Sequence, residues 1–209
     1  MLPVVIVFAK APAPFAVKTR LIPRIDADAA CRLHEAFVRD TLSILDEIRD
    51  TCDVELHTDR VSNLGGTKLQ ASGDLGVRML AALDNGLAEG RPVAAILGSD
   101  SPTLPSAFVS ELLNCPADVC LGPAIDGGFY AIACRRTSPA MFDGVTWSSS
   151  HTLEQTSRAI RQAGLTVALG SLWYDVDSSE DLERLIADPN LRPAARQALI
   201  AEGLMSGFS

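Results

Sequence analysis

The sequence predicts an α/β protein in which helices cover both faces of a mostly parallel sheet. Short apolar runs, such as Leu2–Phe8 and Val93–Leu97, have the length and the β-branched content of buried strands. Longer segments with apolar residues at helical spacing, such as Ala27–Ile48, lie between them. Strands and helices that alternate at this spacing form three layers. No repeat or linker interrupts the 209 residues, so we expect a single domain over residues 1–209, with a loose tail at residues 204–209.

The elements follow from local signals along the chain. In the first half we expect a strand over Leu2–Phe8, a helix over Ala27–Ile48, a strand over Val54–His57, a polar loop over Ser62–Lys68, a helix over Leu75–Glu89 and a strand over Val93–Leu97. Asp26 or Asp28 can cap the first helix, because a side-chain oxygen at that place accepts a free backbone N–H. The glycines of the polar loop are typical of turns rather than of strand interiors.

The second half continues the alternation. We expect a helix that ends near Asn114, a strand over Val119–Leu121, a strand near Phe129–Ile132, a helix over Thr152–Ala163, a strand over Leu165–Leu169, a helix after Ser178 and a last helix over Pro193–Ala201. Gly164 ends the fourth helix and Ser178 caps the fifth, which carries acidic residues in its first turn. The helix-poor segment from Gly122 to Trp147 predicts an antiparallel strand within an acceptor-side region.

Composition narrows the class of protein. Hydrophobic residues make up 47% of the chain, which is enough for a sizeable core, and the formal net charge is −8. A net negative charge disfavours nucleic acid as a partner. Five scattered cysteines without a C-x-x-C motif indicate reduced thiols in a cytoplasmic protein. We expect neither a membrane span nor a signal peptide, since Lys10 interrupts the first apolar run. The sequence predicts no oligomeric state.

The loop after the first strand concentrates positive charge in an acidic protein. Lys10, Lys18 and Arg20 lie on it, and two prolines favour an extended path. Ligands of α/β sheets bind at the carboxyl ends of the strands. Arginine and lysine are the usual partners of phosphate oxygens. The loop therefore predicts an anion site for a di- or triphosphate, with Lys18 as an exposed side chain; a solvated basic loop is the alternative.

Carboxylates at the ends of predicted strands complete the candidate site. Asp100 follows a buried strand and precedes a proline turn, where it can hold Mg²⁺ or Mn²⁺ against phosphate oxygens. A second carboxylate is needed, and Asp126, Asp175 and Asp177 are candidates. Each of them alone is more typical of a helix cap or a turn, whereas their occurrence together with the cationic loop favours a metal site.

Two glycine pairs allow the backbone to approach a ligand closely. Gly73 and Gly76 precede a helix, and their loop suits contact with a flat ring, although an ordinary turn fits equally well. Gly127 and Gly128 follow Asp126 and permit a similar approach. Neither pair belongs to a Rossmann or P-loop motif, and the chain lacks the G-x-S-x-G motif of serine hydrolases.

Taken together, these motifs resemble those of one family. They are Phe8–Pro12 with Val17–Leu21, Gly73–Gly76 with Arg78 and Met79, Gly98–Pro102, Gly122–Ala124 with Asp126–Tyr130, Trp147 and Ser148, and Asp175–Asp177 with Glu180–Leu182. In this order they resemble the bacterial DUF2064 family, a glycosyltransferase-A-like branch of the nucleotide-diphospho-sugar transferase superfamily. The resemblance runs from Phe8 to about Leu185. One position departs from it, since Phe15 stands where the family usually has glycine.

The resemblance implies a Rossmann-like GT-A fold, a divalent cation (Mg²⁺ or Mn²⁺) and a nucleotide bound over the first loop. It implies catalytic roles for Lys18, Arg20 and Asp100, and metal ligation by Asp100 and Asp177, with Asp126 in reserve. The residues implied at the nucleotide are Ala9, Lys10, Lys18, Arg20, Gly73, Asp74, Gly76, Arg78 and Ser99. Those implied on the acceptor or sugar side are Asp126, Gly127, Gly128 and Trp147.

Three functions remain open at this point. The first is a metal-dependent transferase that uses a nucleotide-sugar donor and an unidentified small-molecule acceptor, as the family label suggests. The second is a nucleotidyltransferase that makes a nucleotide-linked product from a nucleoside triphosphate, for which the cationic loop is suited. The third is a non-catalytic nucleotide-binding protein, which the retention of the cations and both carboxylate motifs disfavours.

Overall fold

The computed structural model describes residues 1–206, and within them seven strands form one sheet. The strands are β1 (Val4–Ala9), β2 (Asp53–Thr58), β3 (Thr67–Leu69), β4 (Ala94–Gly98), β5 (Val119–Pro123), β6 (Phe129–Cys134) and β7 (Val167–Leu169). Their order across the sheet is β3-β2-β1-β4-β6-β5-β7. β6 runs antiparallel to β4 and β5, and the other strand pairs are parallel. The predicted fold class is confirmed, including the antiparallel strand.

Six helices surround this sheet within the described part of the chain. They are α1 (Ala27–Asp46), α2 (Leu75–Ala88), α3 (Ser106–Asn114), α4 (Thr152–Gln162), α5 (Ser179–Ala187) and α6 (Pro193–Ala201). Alternate residues of β1 separate the two faces: Val5 and Val7 pack with α1 and α3, whereas Val4 and Ile6 pack with α2 and α4. α5 and α6 pack outside α1 in a third apolar cluster. No helix among residues 1–206 combines the length and the apolar character needed to span a membrane.

Carboxylate and hydroxyl side chains cap the first N–H groups of α1, α5 and α6. The Asp26 carboxylate accepts the Ala29 N–H at 2.7 Å, so Asp26 rather than Asp28 caps α1. Ser178 and Asp181 form a capping box at the start of α5. α6 has no side-chain cap of its own, and Asp40 of α1 supplies one by accepting the N–H groups of Ala194 and Ala195 at 3.0 and 2.7 Å. This contact ties the last helix to the first.

Three expectations need correction. Thr67–Leu69 forms β3 at the end of the segment predicted as a loop, Ser62–Lys68. It pairs only with β2, and each of its side chains is polar or exposed, so the sequence shows no pattern of a buried strand. The first loop is not extended throughout, because Thr19–Leu21 forms a 3-10 turn. Leu204 and Met205 of the predicted loose tail pack against the third cluster, so that expectation was wrong for these two residues. Residues 207–209 of the tail lie outside the described part.

Candidate functional site

A cavity of about 840 Å³ opens at the carboxyl ends of β1 and β4. β6 runs in the opposite direction, and its first residues therefore reach the same edge of the sheet. The predicted site residues that line the cavity are Ala9, Lys10, Lys18, Arg20, Arg78, Ser99, Asp100, Asp126, Gly128, Trp147 and Asp177. Gly73, Asp74, Gly76 and Gly127 are not among the lining residues. Most of the residues singled out from the sequence thus share one cavity.

The ammonium of Lys18 lies between two carboxylates at the base of this cavity. Its Nζ is 2.5 Å from Asp100 Oδ1 and 3.0 Å from Asp177 Oδ1, and it donates to the Val176 carbonyl at 2.7 Å. The Lys18 side chain is only 3% exposed, and its backbone adopts a left-handed conformation with φ 46°. The expectation of an exposed loop lysine was wrong, because residues about 160 positions later in the chain cover it.

Charge compensation governs the protonation of this cluster. Burial alone would lower the pKa of Lys18, but Asp100 and Asp177 outweigh it and raise that pKa above its ordinary value. Burial alone would raise the pKa of Asp100, and the neighbouring ammonium of Lys18 holds it below its ordinary value instead. Lys18 is therefore charged, and Asp100 beside it is ionised.

A third carboxylate, Asp175, lies beside the pair. It lines the cavity and accepts a hydrogen bond from the Ser101 hydroxyl. Burial and the nearby charge of Asp100 raise the pKa of Asp175 to about 7. The sequence marks Asp175 only as one of three candidate ligands. Its environment differs from that of Asp177 because it does not contact Lys18.

His34 ties α1 to the first loop through its contact with the Lys10 carbonyl. Its Nε2 lies 2.9 Å from the Lys10 carbonyl, which can only accept, so Nε2 carries the proton and Nδ1 is an acceptor. Burial lowers the pKa of His34, which favours this neutral form. Within the described residues Nδ1 has no hydrogen-bond partner. Sequence reasoning missed His34, since a histidine on the apolar face of a helix is indistinguishable from a core residue.

Gln70 fixes the orientation of Arg78. Its amide nitrogen donates to the carbonyls of Ala9 and His57 at 3.2 and 3.0 Å, and its Oε1 accepts from Arg78 Nη1 at 2.8 Å. Both side chains line the cavity. Gln70 thus joins the ends of β1 and β2 to a cationic side chain of α2. No signal in the sequence distinguished Gln70 from an ordinary loop residue.

Gly73, Asp74 and Gly76 lie at the start of α2 rather than on the cavity wall, to which Leu75 of the same segment does contribute. The Asp74 carboxylate accepts the Val77 N–H at 2.9 Å and caps the helix. Gly76 does meet a flat ring, but the ring belongs to Trp147: a Cβ at Gly76 would lie 2.9 Å from Trp147 Cζ2. The glycine therefore lets the indole pack against α2, and this packing places Trp147 at the cavity.

The turn between β5 and β6 forms the opposite wall. Asp126 Oδ1 accepts the Gly128 N–H at 2.8 Å, which closes the turn and leaves the exposed carboxylate at the cavity. Gly127 has φ 88°, and a Cβ there would lie 2.1 Å from the Ser150 carbonyl oxygen. Only glycine allows this turn to pack so closely against the hydroxyl-rich segment Ser148–Ser150.

Phe15 lies at a left-handed position of the first loop. Its φ is 61° and its side chain is 75% exposed. Glycine adopts this conformation without steric cost, and other residues adopt it with strain. The geometry gives a physical reason for the glycine that the family usually carries at this place.

The carboxylates of Asp100 and Asp177 have the donor chemistry that a divalent cation requires. Among residues 1–206, no group of three or more His, Cys, Asp or Glu side chains is arranged to hold a metal ion. Asp100 and Asp177 nevertheless provide hard oxygen donors at the cavity, and each side chain is 43% exposed. Mg²⁺ is usually held by one or two carboxylates together with phosphate oxygens. The pair therefore fits a cation that is bound jointly with the phosphates of a ligand.

Comparison with known proteins identifies the surrounding family. A family profile described as "Uncharacterized protein conserved in bacteria (DUF2064)" matches residues 27–149, more than half of the chain. A search of curated proteins finds no match. A crystal structure from Desulfovibrio desulfuricans G20, described as a proposed nucleotide-diphospho-sugar transferase, is 29% identical with a TM-score of 0.86. The match covers 97% of this chain and 96% of that chain.

Two more distant structures share the fold. CMP:2-keto-3-deoxy-manno-octonic acid synthetase in complex with CTP is 12% identical with a TM-score of 0.56, and the match covers 98% of this chain and 100% of that chain. The Rv0371C protein of Mycobacterium tuberculosis H37Rv in complex with manganese is 12% identical with a TM-score of 0.51, and the match covers 90% and 99% of the two chains. The architecture is therefore that of nucleotide-diphospho-sugar transferases.

Proposed function

The chain belongs to the DUF2064 family, and we propose that it is a transferase that acts on a nucleotide-sugar with the help of Mg²⁺ or Mn²⁺. The observation that carries the proposal is the position of Asp100 and Asp177, held together by Lys18 in a cavity that cationic side chains also line. Two partly exposed carboxylates in a cavity that is also lined by cationic side chains suit a divalent cation that is bound together with phosphate oxygens.

Each part of the cavity then has a role in the proposal. Lys10 and Arg20 are exposed on the first loop, where they can contact phosphate oxygens. Arg78 is oriented by Gln70 toward the nucleotide, and Ala9 and Ser99 form the wall beside it. Lys18 has a different role from the one expected, because its donors are occupied by Asp100, Asp177 and Val176. It holds the two carboxylates side by side and offsets their mutual repulsion.

The cation would supply one piece of chemistry, the neutralisation of negative charge on the leaving phosphate group. The residues of the chain would do the rest. Asp100 and Asp177 would hold the cation at the base of the cavity, and Arg20 would stabilise the negative charge that develops on the phosphate oxygens of the leaving group. Asp126 lies on the opposite wall, where an acceptor would enter.

Nucleotidyl transfer is the alternative. The loop cations suit the attacked phosphate and the departing pyrophosphate of a nucleoside triphosphate. The relative that binds CTP shares the fold. The two reactions differ in their products, because glycosyl transfer releases a nucleoside diphosphate and nucleotidyl transfer releases pyrophosphate. Assaying both products with nucleotide-sugars and nucleoside triphosphates decides between them. A protein that binds nucleotide and releases neither product would be the non-catalytic alternative.

The proposal is tested by calorimetric titration of nucleotides and nucleotide-sugars with and without Mn²⁺. We expect at least one to bind more tightly when Mn²⁺ is present, and we expect Asp100→Asn to remove most of that difference while leaving the fold intact. The coupling must be reciprocal, so nucleotide must also tighten Mn²⁺ binding. Asp50→Asn, an exposed carboxylate outside the cavity lining, is the control. Equal affinities in wild type and Asp100→Asn, with and without Mn²⁺, would refute the metal-dependent mechanism.

A further inference from the structure

Positive charge is confined to one side of the cavity. Among the described lining residues, the lysines and arginines are Lys10, Lys18 and Arg20 of the first loop and Arg78 of α2. The first loop follows β1, and β4 separates β1 from β6 in the sheet. The lining contributed by Asp126–Ile132 and Trp147–Thr152, on the β6 side, includes no lysine or arginine.

The charged group on the β6 side is the Asp126 carboxylate. Its Oδ1 accepts the Gly128 N–H, so the turn fixes its position, and the group remains exposed at the cavity. A second anion placed beside Asp126 would be repelled by this carboxylate, and no lysine or arginine of the lining on the same side offsets the repulsion.

Uncharged polar groups line the same side of the cavity as Asp126. Ser148 and Ser150 are exposed at the cavity, and Ser148 is held with φ 58°, a conformation that serine adopts only under constraint. The Thr152 hydroxyl lies within hydrogen-bond distance of the Thr146 and Ser149 carbonyls and shares its one hydrogen between them, which fixes this segment at the start of α4. Hydroxyl groups and a carboxylate beside the ring of Trp147 form a wall that can exchange hydrogen bonds with alcohols.

We infer that the acceptor of the transferase is an uncharged, hydroxyl-bearing compound, such as a polyol or a sugar, rather than a phosphate ester. Asp126 accepts a hydrogen bond from its hydroxyl, and Ser148 and Ser150 bind its further oxygens. The inference rests on the proposed function, since it assigns the second substrate of the same cavity. The side of the cavity that carries the lysines and arginines would bind the anionic donor. The β6 side would bind the neutral acceptor.

The test compares matched pairs of compounds on protein saturated with Mg²⁺ and the tightest-binding nucleotide of the calorimetric screen. The pairs are glycerol and glycerol 3-phosphate, myo-inositol and inositol 1-phosphate, and glucose and glucose 6-phosphate. Ligand-observed NMR titration gives a Kd for each. We expect the unphosphorylated member of a pair to bind about tenfold more tightly, the effect of a single repulsive charge pair in a partly solvated site.

Two variants of Asp126 and one control sharpen the comparison. Asp126→Asn keeps the oxygen that accepts the Gly128 N–H and should reduce the difference in Kd between the two members of a pair. Asp126→Lys should make the phosphorylated member bind more tightly. Asp143→Asn, an exposed carboxylate outside the lining, should leave the difference unchanged. Phosphate esters that bind wild type as tightly as their unphosphorylated partners would overturn the inference. That outcome leaves nucleotide binding intact, whereas failure of the proposed function would remove nucleotide binding itself.

Discussion

Lys18 Nζ lies 2.5 Å from Asp100 Oδ1, and this contact makes a loop lysine part of the protein interior. Removing one member of such a group leaves the others unpaired, which costs more than the loss of a surface ion pair. The carboxylates are partly exposed, and solvent reduces the penalty.

We predict that Lys18→Met lowers the free energy of unfolding by about 2 kcal/mol, since two neighbouring carboxylates then lack their counter-ion. Urea denaturation of both proteins measures the difference. Lys10→Met is the matched control: Lys10 is exposed on the same loop, and its replacement should change stability by less than about 0.5 kcal/mol. Equal effects of the two substitutions would mean that the contacts of Lys18 contribute no stability.

Asp40 supplies the cap of α6 from a different helix. Asp40→Ala removes two hydrogen bonds to backbone N–H groups of α6, and we predict a loss of about 2 kcal/mol in unfolding free energy. Asp46→Ala, at an exposed position of the same helix, should cost less than about 0.5 kcal/mol. Similar losses in both variants would show that the cap does not hold α6.

The same carboxyl group predicts a pH dependence. Burial raises the pKa of Asp40, although the N–H groups of Ala194 and Ala195 oppose this effect. The folded state therefore binds its proton more readily than the unfolded state, and the contribution of Asp40 to stability falls as pH rises through about 4 and beyond. Asp40→Asn cannot titrate. Unfolding measured between pH 3 and pH 7 should show wild type losing stability relative to Asp40→Asn; a constant difference would contradict the shift.

Gln70 is expected to act on ligand affinity through Arg78. Gln70→Leu removes the acceptor for Arg78 Nη1, and we predict about a tenfold loss of nucleotide affinity, the effect of about 1.4 kcal/mol. Gln70→Glu retains an oxygen for Arg78 but loses the two donations to the strand ends. It should lower stability while keeping most of the affinity. Calorimetry and denaturation of both variants separate the two effects, and equal affinity losses would argue against a positioning role.

The strained backbone at Phe15 predicts an unusual stabilising substitution. Phe15→Gly relieves a left-handed conformation that costs about 1 kcal/mol, and the greater freedom of glycine in the unfolded chain returns part of that gain. We expect a net increase of about 0.5 kcal/mol in unfolding free energy. Phe15→Ala removes the same exposed ring but keeps the strain. If alanine stabilised the protein as much as glycine, the ring and not the backbone would be responsible.

The parts of the site that the sequence predicted are those with local signatures. Asp100 follows an apolar strand, and the first loop collects cations between prolines, so their place at the edge of the sheet follows from the order of elements. The burial of Lys18 could not be foreseen, because Val176 and Asp177 approach it from the far end of the chain. The capping of α6 by Asp40 is equally non-local. The sequence did not predict β3, because an edge strand of three polar or exposed residues has no alternating apolar pattern.

Lys18 and Asp177 are 159 positions apart in the chain, and this separation affects the order in which parts of the structure form during folding. During synthesis the first loop emerges long before the segment that encloses its lysine. Contacts between such distant positions form late, because the intervening chain must first be ordered. The cavity is therefore among the last features to be completed, and a nascent chain that lacks the segment around Val176 has not yet enclosed the ammonium of Lys18 at its base.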